Sequence, residues 1–111
     1  FPTISMEYIQ EALNVFSDKE YNFLIISDDV PYCKETFPES ENIRFSNGTI
    51  DFVDLCLMTL CDHNIISNSS FSWWGAWLNN NPNKIVTAPS DWFKDKNMNT
   101  KDLIPKEWKI I

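Results

Sequence analysis

Residues 62–77 read Asp-His-Asn-Ile-Ile-Ser-Asn-Ser-Ser-Phe-Ser-Trp-Trp-Gly-Ala-Trp, the stretch richest in groups that could do chemistry. An apolar run at 64–67 passes directly into a turn of small hydroxyl and amide residues, 68–72, and a helical pattern follows. The first N–H groups of a helix have no intrahelical partner and carry the positive end of its dipole. Ser69, Ser70 and Ser72 add hydroxyl donors, and side chains this small let an anion come close to the backbone. A diphosphate fits such a place without a lysine. Asn68, Ser69, Ser70 and Phe71 are therefore the candidate anion-binding residues, the competing reading being an ordinary serine N-cap.

Other polar groups stand near by in type or position. Ser27, Asp28 and Asp29 end a second apolar run. The aspartate pair either faces a ligand or caps a helix starting at Val30. A metal site built on it is weak, because no third ligand is evident. His63 is the single histidine. It is expected to hold the turn by donating a ring N–H to a backbone carbonyl rather than to act as a base, since no Cys or Ser nucleophile stands at a suggestive spacing. Phe71, Trp73, Trp74 and Trp77 cover both sides of one helix and are expected mainly in the core, with Phe71 or Trp73 as an alternative stacking wall for a sugar. The sequons at Asn47 and Asn68 are read as accidental.

These residues need elements to position them. A helix is expected over residues 5–16, with Met6, Ile9, Leu13 and Phe16 on its apolar side and Thr3 or Ser5 as cap. Residues 21–26 read as a strand buried on both faces. A short helix at 30–37, stopped by Pro38, leads to a brief strand at 42–45 closed by Asn47-Gly48. Residues 49–61 form a stronger helix, capped by Thr49 or Asp51, with Phe52, Leu55, Met58 and Leu60 marking its apolar side. A buried strand at 64–67, a helix at 69–78 and a strand at 84–88 complete the pattern, the last following the breaker Asn79-Asn80-Asn81-Pro82. Beyond Pro89 the chain reads as irregular, pinned by Trp92, Phe93 and Trp108. Strands separated by helices of this length imply right-handed βαβ crossovers and an α/β fold with a doubly wound, mostly parallel sheet. In such sheets ligands bind at the carboxyl ends of strands near helix N-termini. Ser27-Asp28-Asp29 and Asn68-Ser69-Ser70 both fall at such ends.

Composition narrows the function. A chain of 111 residues holds one modest domain, and 43% hydrophobic with 14% aromatic content is ample for a packed core. Two glycines leave little room for a Gly-rich phosphate loop. A net charge of −7 with no basic cluster argues against nucleic acid. Cys33, Cys56 and Cys61 form no C-x-x-C pair and are expected to be buried free thiols of a reducing compartment. No apolar run reaches the ~20 residues needed to cross a bilayer. A chain that starts at Phe1 without a signal peptide is expected to be a fragment or a processed product.

The run from His63 through Ala76 resembles the C-terminal signature of the bacterial and animal α-1,2-fucosyltransferases, glycosyltransferase family 11. The flanks agree: Phe23-Leu24-Ile25-Ile26-Ser27-Asp28-Asp29 resembles the family's strand ending in Ser-Asp-Asp. Asp54-Leu55 with Met58 and Cys61 resembles the helix before the signature. Lys84-Ile85-Val86 with Ala88-Pro89 and Trp92-Phe93 resembles the strand and tail after it. The resemblance implies a two-domain enzyme of the GT-B type, in which residues 1–111 are a partial, Rossmann-like C-terminal domain that binds the nucleotide sugar. It implies transfer of L-fucose from GDP-fucose to the 2-hydroxyl of a galactoside, with inversion and without metal or other cofactor. The partners are then GDP-fucose and a galactose-terminated glycan, and peripheral membrane association of the parent is left open. The helix N-terminus at Ser69–Phe71 would serve the phosphates. Asp28 or Asp29 would read guanine, whose N1–H and N2–H pair a carboxylate accepts in a bidentate contact that adenine does not offer. The family's basic motif, His-x-Arg-Arg-x-Asp, is absent from this chain, whose one arginine is Arg44. In related fucosyltransferases that arginine pair neutralises the leaving diphosphate. The alternative is thus a truncated non-catalytic remnant or a nucleotide-binding module without independent activity. No catalytic base is identifiable, and the compartment follows from the source, bacterial cytoplasm or membrane against animal Golgi lumen.

Overall fold

The computed structural model describes residues 5–27, 29–37, 40–46, 52–90, 92 and 103–111. Asp28, Thr3, Pro38, Asn47-Gly48, Thr49, Asp51 and Phe93 lie outside these described residues. Helix α1 spans Met6–Val15 and starts at the expected cap: Ser5 Oγ accepts the Tyr8 N–H at 3.1 Å. The buried stripe is rotated from the expected one but shares Phe16 with it, Ile9 and Leu13 being half-buried. Tyr8, Ala12 and Phe16 are buried, while Met6 is exposed. This set keeps the i, i+4, i+8 spacing of one helix face. Ala12 permits close approach, and the Tyr8 hydroxyl finds polar partners inside.

Strand β1 (Phe23–Ile25), helix α2 (Val30–Thr36) and strand β2 (Ile43–Phe45) form a parallel βαβ unit, with Phe23 opposite Ile43 and Ile25 opposite Phe45. Asp29 caps α2, its Oδ1 accepting the Tyr32 N–H at 3.2 Å. Pro31 sits in the first turn, where its missing N–H costs nothing. β1 is half-buried instead of covered on both faces, with Leu24 exposed. Among the described residues it pairs with β2 alone, so it is an edge and not a centre.

Helix α3 (Phe52–Leu60), strand β3 (Asn64–Ile65), helix α4 (Ser70–Trp77) and strands β4 (Val86–Ala88) and β5 (Lys109–Ile110) follow. Strand order is β3-β4-β5, all parallel. β5 corrects the expectation of an irregular tail. Lys109 stands opposite Thr87 and Ile110 opposite Ala88, and Ile111 N–H donates to Ala88 O at 3.0 Å. A two-residue strand carries no periodicity, so nothing local announced it. Among the described residues the strands fall into two parallel groups, β1-β2 and β3-β4-β5, a small α/β domain compatible with a Rossmann-like arrangement.

α3 buries Met58 as expected, together with Asp54, and half-buries Leu55, but leaves Phe52 76% and Leu60 80% exposed, against the expected apolar side. The reason is the neighbour. A Cβ on Gly75 of α4 would lie 2.6–2.9 Å from Sδ, Cε and Cβ of Met58, so the helices touch at a point only glycine allows. The core gathers Met58, Ile66, Ala76, Val86, Ala88, Trp92, Ile104 and Trp108 between these elements. Trp92 and Trp108 pin the tail as expected.

Candidate functional site

The turn after β3 is built by its own hydroxyls. Ser69 is the N-cap of α4, its Oγ accepting the Ser72 N–H at 3.1 Å. Ser67 Oγ donates to Ser69 Oγ at 3.1 Å. Ser72 is buried, and its Oγ reaches the carbonyls of Ser67 and Ser69 at 3.0 Å each and Ser69 Oγ at 2.8 Å. The hydroxyls of Ser69 and Ser72 are therefore consumed internally, correcting the expectation that they add donors for a ligand. Ser70 is exposed, and the backbone N–H groups of Ser70 and Phe71 have no hydrogen-bond partner among the described residues. Asn68 is half-buried and donates its Nδ2 to Trp92 O at 3.4 Å. The N-cap and the open donor pair thus coexist.

The two ends of α4 differ in charge compensation. At the C-terminus Lys84 Nζ donates to Ala76 O at 2.7 Å and to Asn79 O at 2.8 Å, offsetting the negative end of the helix. Partial burial lowers the Lys84 pKa from its ordinary value. The N-terminus keeps two donors without a partner among the described residues, and its positive potential. That asymmetry suits an anion.

Tyr8 reaches the strand ends beside the turn. Its hydroxyl donates to Ile66 O at 2.6 Å, with Thr87 O at 3.0 Å and Thr87 Oγ1 at 3.2 Å. Burial pushes its pKa up to about 12, the bonds to Thr87 and Ile66 acting the other way. Sequence reasoning missed Tyr8. The available signal was its spacing from Ala12 and Phe16 and a polar tip that needs a partner once buried.

His63 does the reverse of what was expected. Its Nδ1 accepts the Ile85 N–H at 2.9 Å, so the ring joins β3 to the approach of β4 as an acceptor. Phe16 and Tyr21 pack on it at 5.3 and 5.9 Å. Beneath it, Asn79 Nδ2 donates to Cys61 O at 2.8 Å and to Asn64 Oδ1 at 2.9 Å, while Asn64 Nδ2 donates to Met58 O at 3.0 Å. Asn64 lies in β3 as expected and, with Asn79 of the expected breaker, also forms a buried amide network.

Phe71 packs half-buried against the core. Trp73 stacks on Trp77 at 5.4 Å and donates Nε1–H to Leu103 O at 2.9 Å, which ties up the ring considered for a sugar wall. Trp74 and Trp77 are each 51% exposed rather than core. Asp29 follows β1, exposed, at the carboxyl end of a parallel strand, as the turn follows β3. The three cysteines are free and half-buried, not fully buried. Among the described residues no cluster of three or more His, Cys, Asp or Glu could hold a metal ion, and no helix is long and apolar enough to cross a membrane.

The profile described as glycosyl transferase family 11 matches residues 3–111. An alpha-1,2-colitosyltransferase of Escherichia coli is 39% identical over 108 residues, 94% of this chain and 36% of that protein. The O-antigen biosynthesis glycosyltransferase WbnK of Escherichia coli is 37% identical over 99 residues, 85% of this chain and 33% of that protein. Galactoside 2-alpha-L-fucosyltransferase SEC1 of Bos taurus is 30% identical over 83 residues, 64% of this chain and 21% of that protein. No solved structure matches. The chain spans about a third of the length of the first two relatives. With the family profile covering all but its first two residues, this chain belongs to glycosyl transferase family 11.

Proposed function

We propose that this chain is the donor-binding part of an α-1,2-fucosyltransferase, the C-terminal domain of a GT-B enzyme that moves L-fucose from GDP-fucose to the 2-hydroxyl of a galactoside with inversion and without metal. The observation that carries the reading is the open donor pair of Ser70 and Phe71 at the start of α4, beside the exposed Ser70 hydroxyl. Fixed backbone dipoles aimed at the diphosphate stabilise the charge that develops on GDP as the anomeric bond breaks. The acceptor hydroxyl attacks that carbon in a single displacement. Asp29 or Asp28 reads guanine, Oδ2 of Asp29 having no hydrogen-bond partner among the described residues while Oδ1 caps α2. Because one relative is named a colitosyltransferase, GDP-colitose is the rival donor within this reading.

A second reading, a nucleotide-binding module or remnant without turnover, draws on the charge balance. The one arginine, Arg44, lies exposed on β2, so this chain brings no arginine pair to the diphosphate. Calorimetric titration with GDP and ADP tests both. GDP is expected to bind more tightly than ADP, and Asp29→Asn, which retains a competent cap, or Asp28→Asn is expected to erase the preference. No heat at millimolar GDP would sink the donor site. GDP release from GDP-fucose in the presence of a galactoside separates an enzyme from a module.

A further inference from the structure

We propose that Tyr8 is the positioning residue of the turn, supplying from α1 the hydrogen bond that Pro89 cannot give. The β3–β4 ladder alternates in the parallel manner: Asn64 N–H donates to Ile85 O at 3.1 Å and Ile66 N–H to Thr87 O at 3.0 Å. With Asn64 opposite Val86 and Ile65 opposite Thr87, the next bond in the series would run from the backbone nitrogen of residue 89 to the Ile66 carbonyl. Residue 89 is proline and has no N–H. The ladder stops there in a dry place, Ile66 being 1% and Thr87 0% exposed. A buried carbonyl without a donor is costly, and water has no access to repair it.

The Tyr8 hydroxyl occupies that place. Its 2.6 Å bond to Ile66 O is the one the ladder lacks, and its reach to Thr87 O and Oγ1 ties the same atom to β4. Desolvation keeps the phenol protonated, and so a donor, across the working pH range. Ile66 immediately precedes Ser67, whose carbonyl and hydroxyl are held by Ser72. Fixing the Ile66 carbonyl therefore fixes where the turn leaves the sheet and where the N–H groups of Ser70 and Phe71 point. The proline ends the ladder, and the tyrosine holds the Ile66 carbonyl at that end in one geometry. The ligand in this inference rests on the proposed function; the geometry does not.

The test uses Tyr8→Phe, Pro89→Ala and the double variant, with Phe16→Leu as a destabilised control on α1 that leaves Ile66 untouched. Two readouts are taken: the Kd for GDP by calorimetry, and hydrogen exchange at the Ser72 and Trp73 amides, both of which bond to Ser69. Tyr8→Phe is expected to speed exchange at both amides and to raise the Kd about tenfold, the scale of one hydrogen bond. Adding Pro89→Ala restores a backbone donor opposite Ile66 and is expected to recover most of both losses, including folding should Tyr8→Phe alone not fold. Phe16→Leu is expected to keep the Kd within about twofold. Unchanged exchange in Tyr8→Phe, absence of rescue, or an equal loss in Phe16→Leu would overturn the proposal. If the parent binds no GDP while exchange responds as described, the positioning role stands and the donor site fails.

Discussion

Replacing Ser72 by Ala separates the hydroxyls that build the turn from those that would meet a ligand. Ser72 Oγ reaches the carbonyls of Ser67 and Ser69 at 3.0 Å and lies 2.8 Å from Ser69 Oγ. In the variant Ser69 O keeps the Trp73 N–H at 3.1 Å, and Ser69 Oγ keeps the Ser72 N–H at 3.1 Å. The loss falls on the Ser67 carbonyl, which has no other donor among the described residues. An acceptor left unsatisfied costs about 1–3 kcal/mol when fully buried, an upper bound for this half-buried carbonyl, and removing one oxygen adds little cavity. In a domain of this size each kcal/mol moves Tm by roughly 4 °C, so Ser72→Ala is expected to melt lower, by up to roughly 12 °C. Ser70→Ala removes an exposed hydroxyl and is expected to change stability by less than about 0.5 kcal/mol while weakening GDP binding. Thermal melts followed by circular dichroism compare the two. A Ser72→Ala melt within about 1 °C of the parent, or equal losses in both variants, would refute this division of labour.

Gly75→Ala sets a helix-propensity gain of about 1 kcal/mol against an overpacking cost of about 1–3 kcal/mol. Sδ and Cε of Met58 can swing aside, but its Cβ at 2.9 Å moves only with α3, so net destabilisation of up to about 2 kcal/mol is expected in urea titrations. Met58→Ala in the same chain should reduce the added penalty. Lys84→Met strips the α4 C-terminus of its donors to Ala76 O and Asn79 O, and about 1–2 kcal/mol should be lost in the same assay. Alkaline stability should track Tyr8. Its proton is held to about 12 in the fold against about 10 in the unfolded chain, so the fold holds more protons and stability falls as pH rises between those values. Up to roughly 2–3 kcal/mol is at stake, and Tm against pH should lose that part of its slope in Tyr8→Phe.

Local chemistry was legible in the sequence. The caps at Ser5, Asp29 and Ser69 each act within three residues, and each stands where side-chain type and helix start indicated. Helix and strand alternation led correctly to parallel pairing. What depended on a partner was not legible. α1 offers two adjacent stripes, and the sheet end it meets selects Tyr8, Ala12 and Phe16. α3 turns Met58 to Gly75 and leaves Phe52 and Leu60 outside, although a glycine inside an aromatic helix was a readable sign of close approach. For Ser72 and His63 the residue type announced hydrogen bonding but not its direction. Ser72 turned inward to its own backbone, and His63 accepted where donation was expected. The link between Tyr8 and Pro89 exists only once the β3–β4 register is known.

The central claim is that the turn 68–71 holds a nucleoside diphosphate on backbone donors. Amide resonances of Ser70 and Phe71, followed while GDP is titrated in, test it most directly. The account expects a saturable shift centred on those two amides and on Asp29, weaker with GMP, which lacks the second phosphate. Saturation with these amides unmoved, or no shift at millimolar GDP, would contradict it.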